Sequence, residues 1–223
     1  MIEEINKKWV LNKRPEGMPD DDCWKLEEVP IPEVKEGSIL IKTLYLSIDP
    51  YMRGRMNDAK SYADPIKIGE VMTGESVGVV VESKSDNFSV GDYVCAHRGW
   101  QSYIVAHGDD RQLFKADPKI VPLSTYLGTV GMPGRTAYFG LLRVGKPKSG
   151  ETIVVSAASG AVGTVVGQMA KILGCRAVGI AGGETKCSYV TDELGFDACV
   201  DYKAGNLEAD LKAACPDGID IYF

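Results

Sequence analysis

The chain has 223 residues, 44% of them hydrophobic, which is ample for one or two cored domains. Its formal net charge is −6 and it carries no basic run, so there is no electrostatic case for nucleic acid. No apolar stretch approaches the roughly 20 residues that span a bilayer, and residues 1–10, MIEEINKKWV, lack a signal-peptide core; a cytoplasmic protein is expected.

From the N-terminus the chain reads as short β-branched runs separated by Gly, Pro, Asp and Asn. They are 38–46 (SILIKTLYL), 76–82 (SVGVVVE), 92–96 (DYVCA) and 102–106 (SYIVA). Strands at this spacing with turn residues between them predict a compact β barrel. The texture changes near 129–142, where GMPGRTAYFGLL is helix-like, and the predicted domains are 1–127 and 128–223.

The second part opens with the most informative stretch, 151–163, ETIVVSAASGAVG. Residues 152–156 fit a buried parallel strand, Ala158, Gly160 and Gly163 fall on an A-x-G-x-x-G spacing, and 164–173 continues as an apolar helix. Small residues let the backbone approach a pyrophosphate, and the helix start offers free N–H donors and a positive dipole end. Tight packing alone also selects such glycines, so the βαβ setting decides. That setting follows: a strand at 176–181, a helix at 185–194, a strand at 198–201, a helix at 207–214 and the start of a strand at 219–223. Alternating strand and helix predicts a doubly wound parallel sheet.

An NAD-binding fold usually ends its second strand on an acid that binds the ribose 2′-hydroxyl. Here Ala181, Gly182 and Gly183 occupy that place, with Lys186 close behind. A 2′-phosphate would meet no repulsion and a nearby cation, which favours NADP(H). Glu184 is the objection, although an early helical acid can be an outward charge favoured by the dipole, and Lys186 could equally be a solvated lysine.

Cys23, Cys95, Cys175, Cys187, Cys199 and Cys215 form no C-x-x-C pair and are expected as reduced, partly buried thiols without a disulfide framework or structural zinc. His97 and His107 match no common metal spacing, and each is expected as a surface or core polar residue. There is no internal repeat and no low-complexity segment.

Six segments together, LSIDPYMRGRM (46–56), KSYADP (60–65), GEVMTGESVGVVVES (69–83), GDYV (91–94), GTVGMPGRTAYFGLL (128–142) and VVSAASGAVGTVVGQMAKILG (154–174), carry a family likeness over the whole chain. They resemble the zinc-independent medium-chain dehydrogenases/reductases, and within them the NADPH-dependent double-bond reductases acting on prostaglandins, alkenals and curcumin, nearest the bacterial curcumin-reductase-like branch. The resemblance implies a GroES-like β barrel followed by a Rossmann sheet. Where zinc-dependent relatives carry a histidine ligand, this sequence has Gly74 in TGESVG, and the stretch leading to Asp49 has no cysteine ligand; no metal is expected.

Residue by residue, the resemblance places Gly160, Ala161, Val162 and Gly163 at the pyrophosphate turn, and Gly182, Lys186 and Tyr202 around the adenosine 2′-phosphate. It places Met132 and Thr136 along the cofactor toward its nicotinamide half, with Arg135 at a variable position. Pro50 and Tyr51 fall beside cofactor and substrate, and Tyr62 on a tyrosine that covers the substrate. From the residues alone, Tyr51 and Tyr62 are as readily packing aromatics.

The implied activity is reduction of an α,β-unsaturated ketone or aldehyde by NADPH, with Tyr51 and Tyr62 as catalytic candidates and a homodimer as the full-length state. A zinc-free quinone reductase and an inactive nucleotide-binding fragment are the alternatives. The second stays open because the sequence stops at Phe223, where a dinucleotide fold needs a further half; a truncation is expected.

Overall fold

In the computed structural model, which describes residues 5–223, the chain divides between Leu127 and Gly128 into two units with separate sheets. Of the stretch read for a signal core, residues 1–4 lie outside the described residues.

The first unit opens on an antiparallel hairpin, β1 (Ile5–Leu11) with β2 (Trp24–Pro30). Its register sets Lys7 opposite Glu28 and Lys8 opposite Glu27, with salt bridges at 3.8 and 3.4 Å, so each face of the hairpin carries one cross-strand charge pair. Leu11, at the end of β1, joins a cluster with Cys23, Met56, Ile66 and Met72. Sequence patterning did not predict this hairpin. Lys and Glu are poor strand signals until the register shows them paired.

Five further strands form the main sheet: β3 (Ser38–Leu46), β4 (Ser76–Ser83), β5 (Tyr93–Ala96), β6 (Tyr103–His107) and β7 (Phe114–Ala116), in the order β6-β3-β4-β5-β7, all antiparallel. β3 is buried on both faces in its first half: Ile39 and Ile41 pack with Val80, Val94 and Ile104, while Leu40 packs with Val34 and Tyr103. Double coverage explains why SILI is continuous rather than alternating. Single bridges from Lys8 to Gln101 and from Val10 to Val71 tie the hairpin to the loops of this sheet. The predicted barrel is thus built from a five-stranded ladder and a separate two-stranded one. A short helix, α1 (Tyr51–Arg55), lies between β3 and β4, with Met52 buried.

The second unit begins with α2 (Met132–Phe139). Its parallel sheet uses β8 (Thr152–Val155), β9 (Arg176–Ala181), β10 (Ala198–Asp201) and β11 (Ile221–Tyr222), in the order β10-β9-β8-β11. Between them run α3 (Gly163–Ile172), α4 (Glu184–Ser188) and α5 (Leu207–Ala214). β8 is wholly buried: Ile153 and Val155 face a core with Val166 and Ala170 of α3, and Val154 faces one with Leu211 and Ala214 of α5. Helices on both faces make this a doubly wound Rossmann sheet. The helix predicted at 185–194 starts as α4 and widens into a π turn over Tyr189–Glu193.

Candidate functional site

The second unit builds a cavity of about 900 Å³ at the C-terminal ends of β8 and β9, lined among others by Ser159, Gly160, Gly182, Lys186, Tyr202 and Tyr222. Open parallel sheets bind ligands at this edge. The turn after β8 is shaped by its small residues. Gly160 N–H donates to the Ala157 carbonyl at 2.8 Å, and Ala157 itself holds φ +47°. A Cβ on Gly163 would stand 2.5 Å from the Ala157 oxygen and 2.9 Å from Ala158 Cα, both backbone atoms. Glycine is therefore needed for close approach where α3 begins. No backbone acceptor among the described residues takes the amides of Ala161, Val162 or Gly163, leaving donors at a helix start suited to an anion. Gly160 lines the cavity itself, Gly163 is buried, and Val162 packs into the core.

The far wall comes from the ends of β9 and β10. A Cβ on Gly182 would lie 2.8 Å from the Tyr202 ring, so that ring can rest against bare backbone while 52% of the residue is exposed. Gly183 follows at φ 96° and ψ 150°, which in practice only glycine adopts. Lys186, in α4, is exposed and has no carboxylate partner among the described residues. These features fit an adenosine 2′-phosphate: a cation without a counter-charge, a ring edge, and glycine where a ribose-binding acid would stand. Beside them, Cys187 Sγ and Cys199 Sγ are 3.1 Å apart. Burial, then the Cys187 contact, pushes the Cys199 thiol up to about 12, so it is protonated at neutral pH. Met132 and Thr136 lie apart from this cavity on α2, where Thr136 Oγ1 donates to the Met132 carbonyl at 2.8 Å.

In the first unit Pro50 caps α1 with φ −57°, and Tyr51 is the first helical residue. Among the described residues, with the Thr73 hydroxyl a near neighbour, the buried Tyr51 hydroxyl has no hydrogen-bond partner of good geometry. Burial pushes its pKa above the ordinary phenol value, against a smaller opposing pull from the neighbouring Thr73 hydroxyl. Thr73 Oγ1 in turn lies 2.9 Å from His97 Nε2, and the His97 ring tilts against Tyr51 with centroids 6.4 Å apart. A corner of phenol, alcohol and imidazole was not legible in sequence, because Tyr51, Thr73 and His97 come from separate segments and His97 was expected to be only a polar residue. Tyr62 sits on the loop after α1 and is 82% exposed. At Gly74 a Cβ would meet the Trp100 ring at 2.9 Å and Leu46 at 3.2 Å. The space a histidine ligand needs is filled by indole.

A family model described as the N-terminal domain of oxidoreductase matches residues 7–115, and one described as zinc-binding dehydrogenase matches residues 161–223. The NADPH-dependent curcumin reductase of Escherichia coli (strain K12) is 50% identical over 218 residues, 98% of this chain and 63% of that protein. The chain belongs to the medium-chain dehydrogenase/reductase family. Within that family, prostaglandin reductase 1 of Oryctolagus cuniculus is 47% identical over 219 residues, 97% of this chain and 60% of that protein. The structure of CurA in complex with NADPH from Vibrio vulnificus matches with a TM-score of 0.92 and 48% identity, covering 97% of this chain and 64% of that one. The chain lies in the curcumin and prostaglandin reductase branch, and it spans under two thirds of the length of these relatives.

Proposed function

We propose that this protein is an NADPH-dependent reductase of the carbon–carbon double bond of α,β-unsaturated ketones and aldehydes. The observation that carries the reading is the cavity wall in which Lys186 has no carboxylate partner among the described residues and Gly182 lies under Tyr202. Lys186 and Tyr202 hold the 2′-phosphate, and the amides of Ala161, Val162 and Gly163, following Gly160, receive the pyrophosphate. Met132 and Thr136 line the cofactor toward its nicotinamide half, and Pro50 lies beside it. NADPH, when bound, supplies the hydride for the β-carbon of the enone.

The chain's own task is then to orient the enone and to stabilise charge on its carbonyl oxygen. Tyr51 is the proposed donor, since burial keeps its phenol protonated and no acceptor among the described residues occupies it. Tyr62 is the proposed cover over the substrate. The reaction needs no zinc, a reading supported by the indole packed against Gly74. Purified protein should hold no stoichiometric zinc, and chelation should leave its thermal midpoint in place. Among the described residues no helix is long and apolar enough to cross a membrane. A cytoplasmic location and a homodimeric state are part of the proposal, the second to be checked by sedimentation.

The deciding experiment titrates NADPH and NADH, then follows NADPH oxidation with an enone and with a quinone. Tighter NADPH binding and enone turnover are expected. Equal affinity for both cofactors would overturn the cofactor reading, and turnover of quinone alone would move the protein to the quinone reductases. Cofactor binding without any turnover would leave this chain a nucleotide-binding fragment.

A further inference from the structure

The two walls of the adenosine cavity are joined by a side chain that does not line it. Asp201 ends β10, in register with Ala181 at the end of β9. One of its oxygens, Oδ1, accepts from Gly183 N–H at 2.8 Å and from Lys203 N–H at 2.9 Å. The second bond closes the turn that begins at Tyr202. The first reaches 18 residues back to the glycine turn after β9. Those two turns carry the residues that face the cavity: Gly182 on one side, Tyr202 on the other. Gly183 is at φ 96° and ψ 150°, and glycine loses more backbone freedom on folding than any other residue; the bond from its amide to Asp201 holds it there.

From this geometry we infer that Asp201 is a positioning residue for cofactor choice: a single carboxylate oxygen staples the Gly182–Gly183 turn to the Tyr202 turn and so sets the gap in which the 2′-phosphate is read. The inference rests on the NADPH reading above. Acids near this edge of a dinucleotide fold ordinarily address the ribose hydroxyls. Here the acid stands one strand over and is spent on two backbone amides. Those donors, Gly183 first and Lys203 next, hold its carboxyl below the usual range.

The role belongs to an acceptor, and the charge is incidental, which makes Asp201→Asn and Asp201→Ala a discriminating pair. In the 223-residue chain, calorimetric titration with NADPH and NADH should show the NADPH preference falling about tenfold in D201A, the size of one lost charge-assisted contact at the phosphate. D201N, which keeps Oδ1, should stay within about twofold of the parent. Asp201→Glu keeps the charge but displaces the acceptor, and it should lose the preference as D201A does, giving a read-out should D201A not fold. Amide exchange should show Gly183 and Lys203 deprotected in D201A and protected in D201N. A preference unchanged in D201A, or lost equally in D201N, would overturn the inference. A parent chain that binds both cofactors alike would sink the NADPH reading alone, and the exchange measurement would still decide the staple: equal amide rates in D201A and parent refute it.

Discussion

The cavity of the second unit and the Tyr51 corner of the first are built by opposite means. The cavity depends on bare backbone at two turns, Gly160 after β8 and Gly182 after β9, beside the side chains of Lys186, Tyr202 and Tyr222. Next to the lining stand Gly163, where a larger residue would not fit, and Gly183, in a conformation reserved for glycine. The corner is made of side chains, a phenol, an alcohol and an imidazole gathered from positions 51, 73 and 97. A backbone site fails when volume is added and tolerates loss of polar groups elsewhere. A side-chain site fails when one functional atom is deleted while the fold stands.

Deleting one oxygen from the corner should give the largest effect. Tyr51→Phe is expected to lower enone turnover by a factor of about 10², the usual cost of one donor to a developing oxyanion. Because that hydroxyl is buried with no well-placed partner among the described residues, stability should be unchanged or higher by up to about 1 kcal/mol. Turnover and thermal unfolding measured together test this. Parallel losses in both would make Tyr51 a packing residue.

Adding one carbon to the turn beside the cavity is the mirror experiment. Gly163→Ala should destabilise the second unit by about 1–3 kcal/mol, because the new Cβ meets the Ala157 and Ala158 backbone, which cannot rotate away. Helix propensity alone predicts the opposite, a gain approaching about 1 kcal/mol for Ala over Gly. Urea unfolding therefore separates the two, and a stabilised variant would show that the turn is looser than described.

A smaller effect comes from the one cationic side chain the backbone site employs. Lys186→Ala should weaken NADPH about tenfold, the low end of roughly 1.5–3 kcal/mol for a charge-assisted contact, and leave NADH nearly unaffected. Equal weakening of both cofactors would place Lys186 outside the phosphate site.

The smallest and broadest effect is on pH. Lys115, 2.7 Å from Asp92, and the Ser89 amide hold the Asp92 carboxyl below its ordinary range in the first unit. In the second, burial works against Asp197 but is outweighed by hydrogen bonds from Lys171 and the Ala177 amide. Folded values below the unfolded ones mean stability that is present above the ordinary carboxylate pKa of about 3.9 and lost as pH falls through the lower folded values. Thermal midpoints should therefore hold down to about pH 5 and decline below about pH 4. Asp197→Asn should flatten that decline for the second unit, and an unflattened curve would assign the loss elsewhere.

The sequence by itself determined the second unit almost residue by residue. The strands at 176–181 and 198–201 and the helix at 207–214 stand where the pattern puts them, because a parallel sheet buried on both faces turns local apolar runs and glycine punctuation directly into structure. Gly160, Gly182, Lys186 and Tyr202, named from sequence, line one cavity. What only the tertiary structure decided depends on distance across the chain. The hairpin of β1 and β2 is written in Lys and Glu that make sense once Lys7 meets Glu28 and Lys8 meets Glu27. Met132 and Thr136 prove to lie on a helix away from the cavity lining. His97, unremarkable as a letter, gains its meaning from Thr73, 24 positions earlier, and Asp201 from Gly183, 18 positions earlier. Local propensity is additive along the chain and can be read from it, whereas a hydrogen bond between remote residues exists only after packing has fixed both partners.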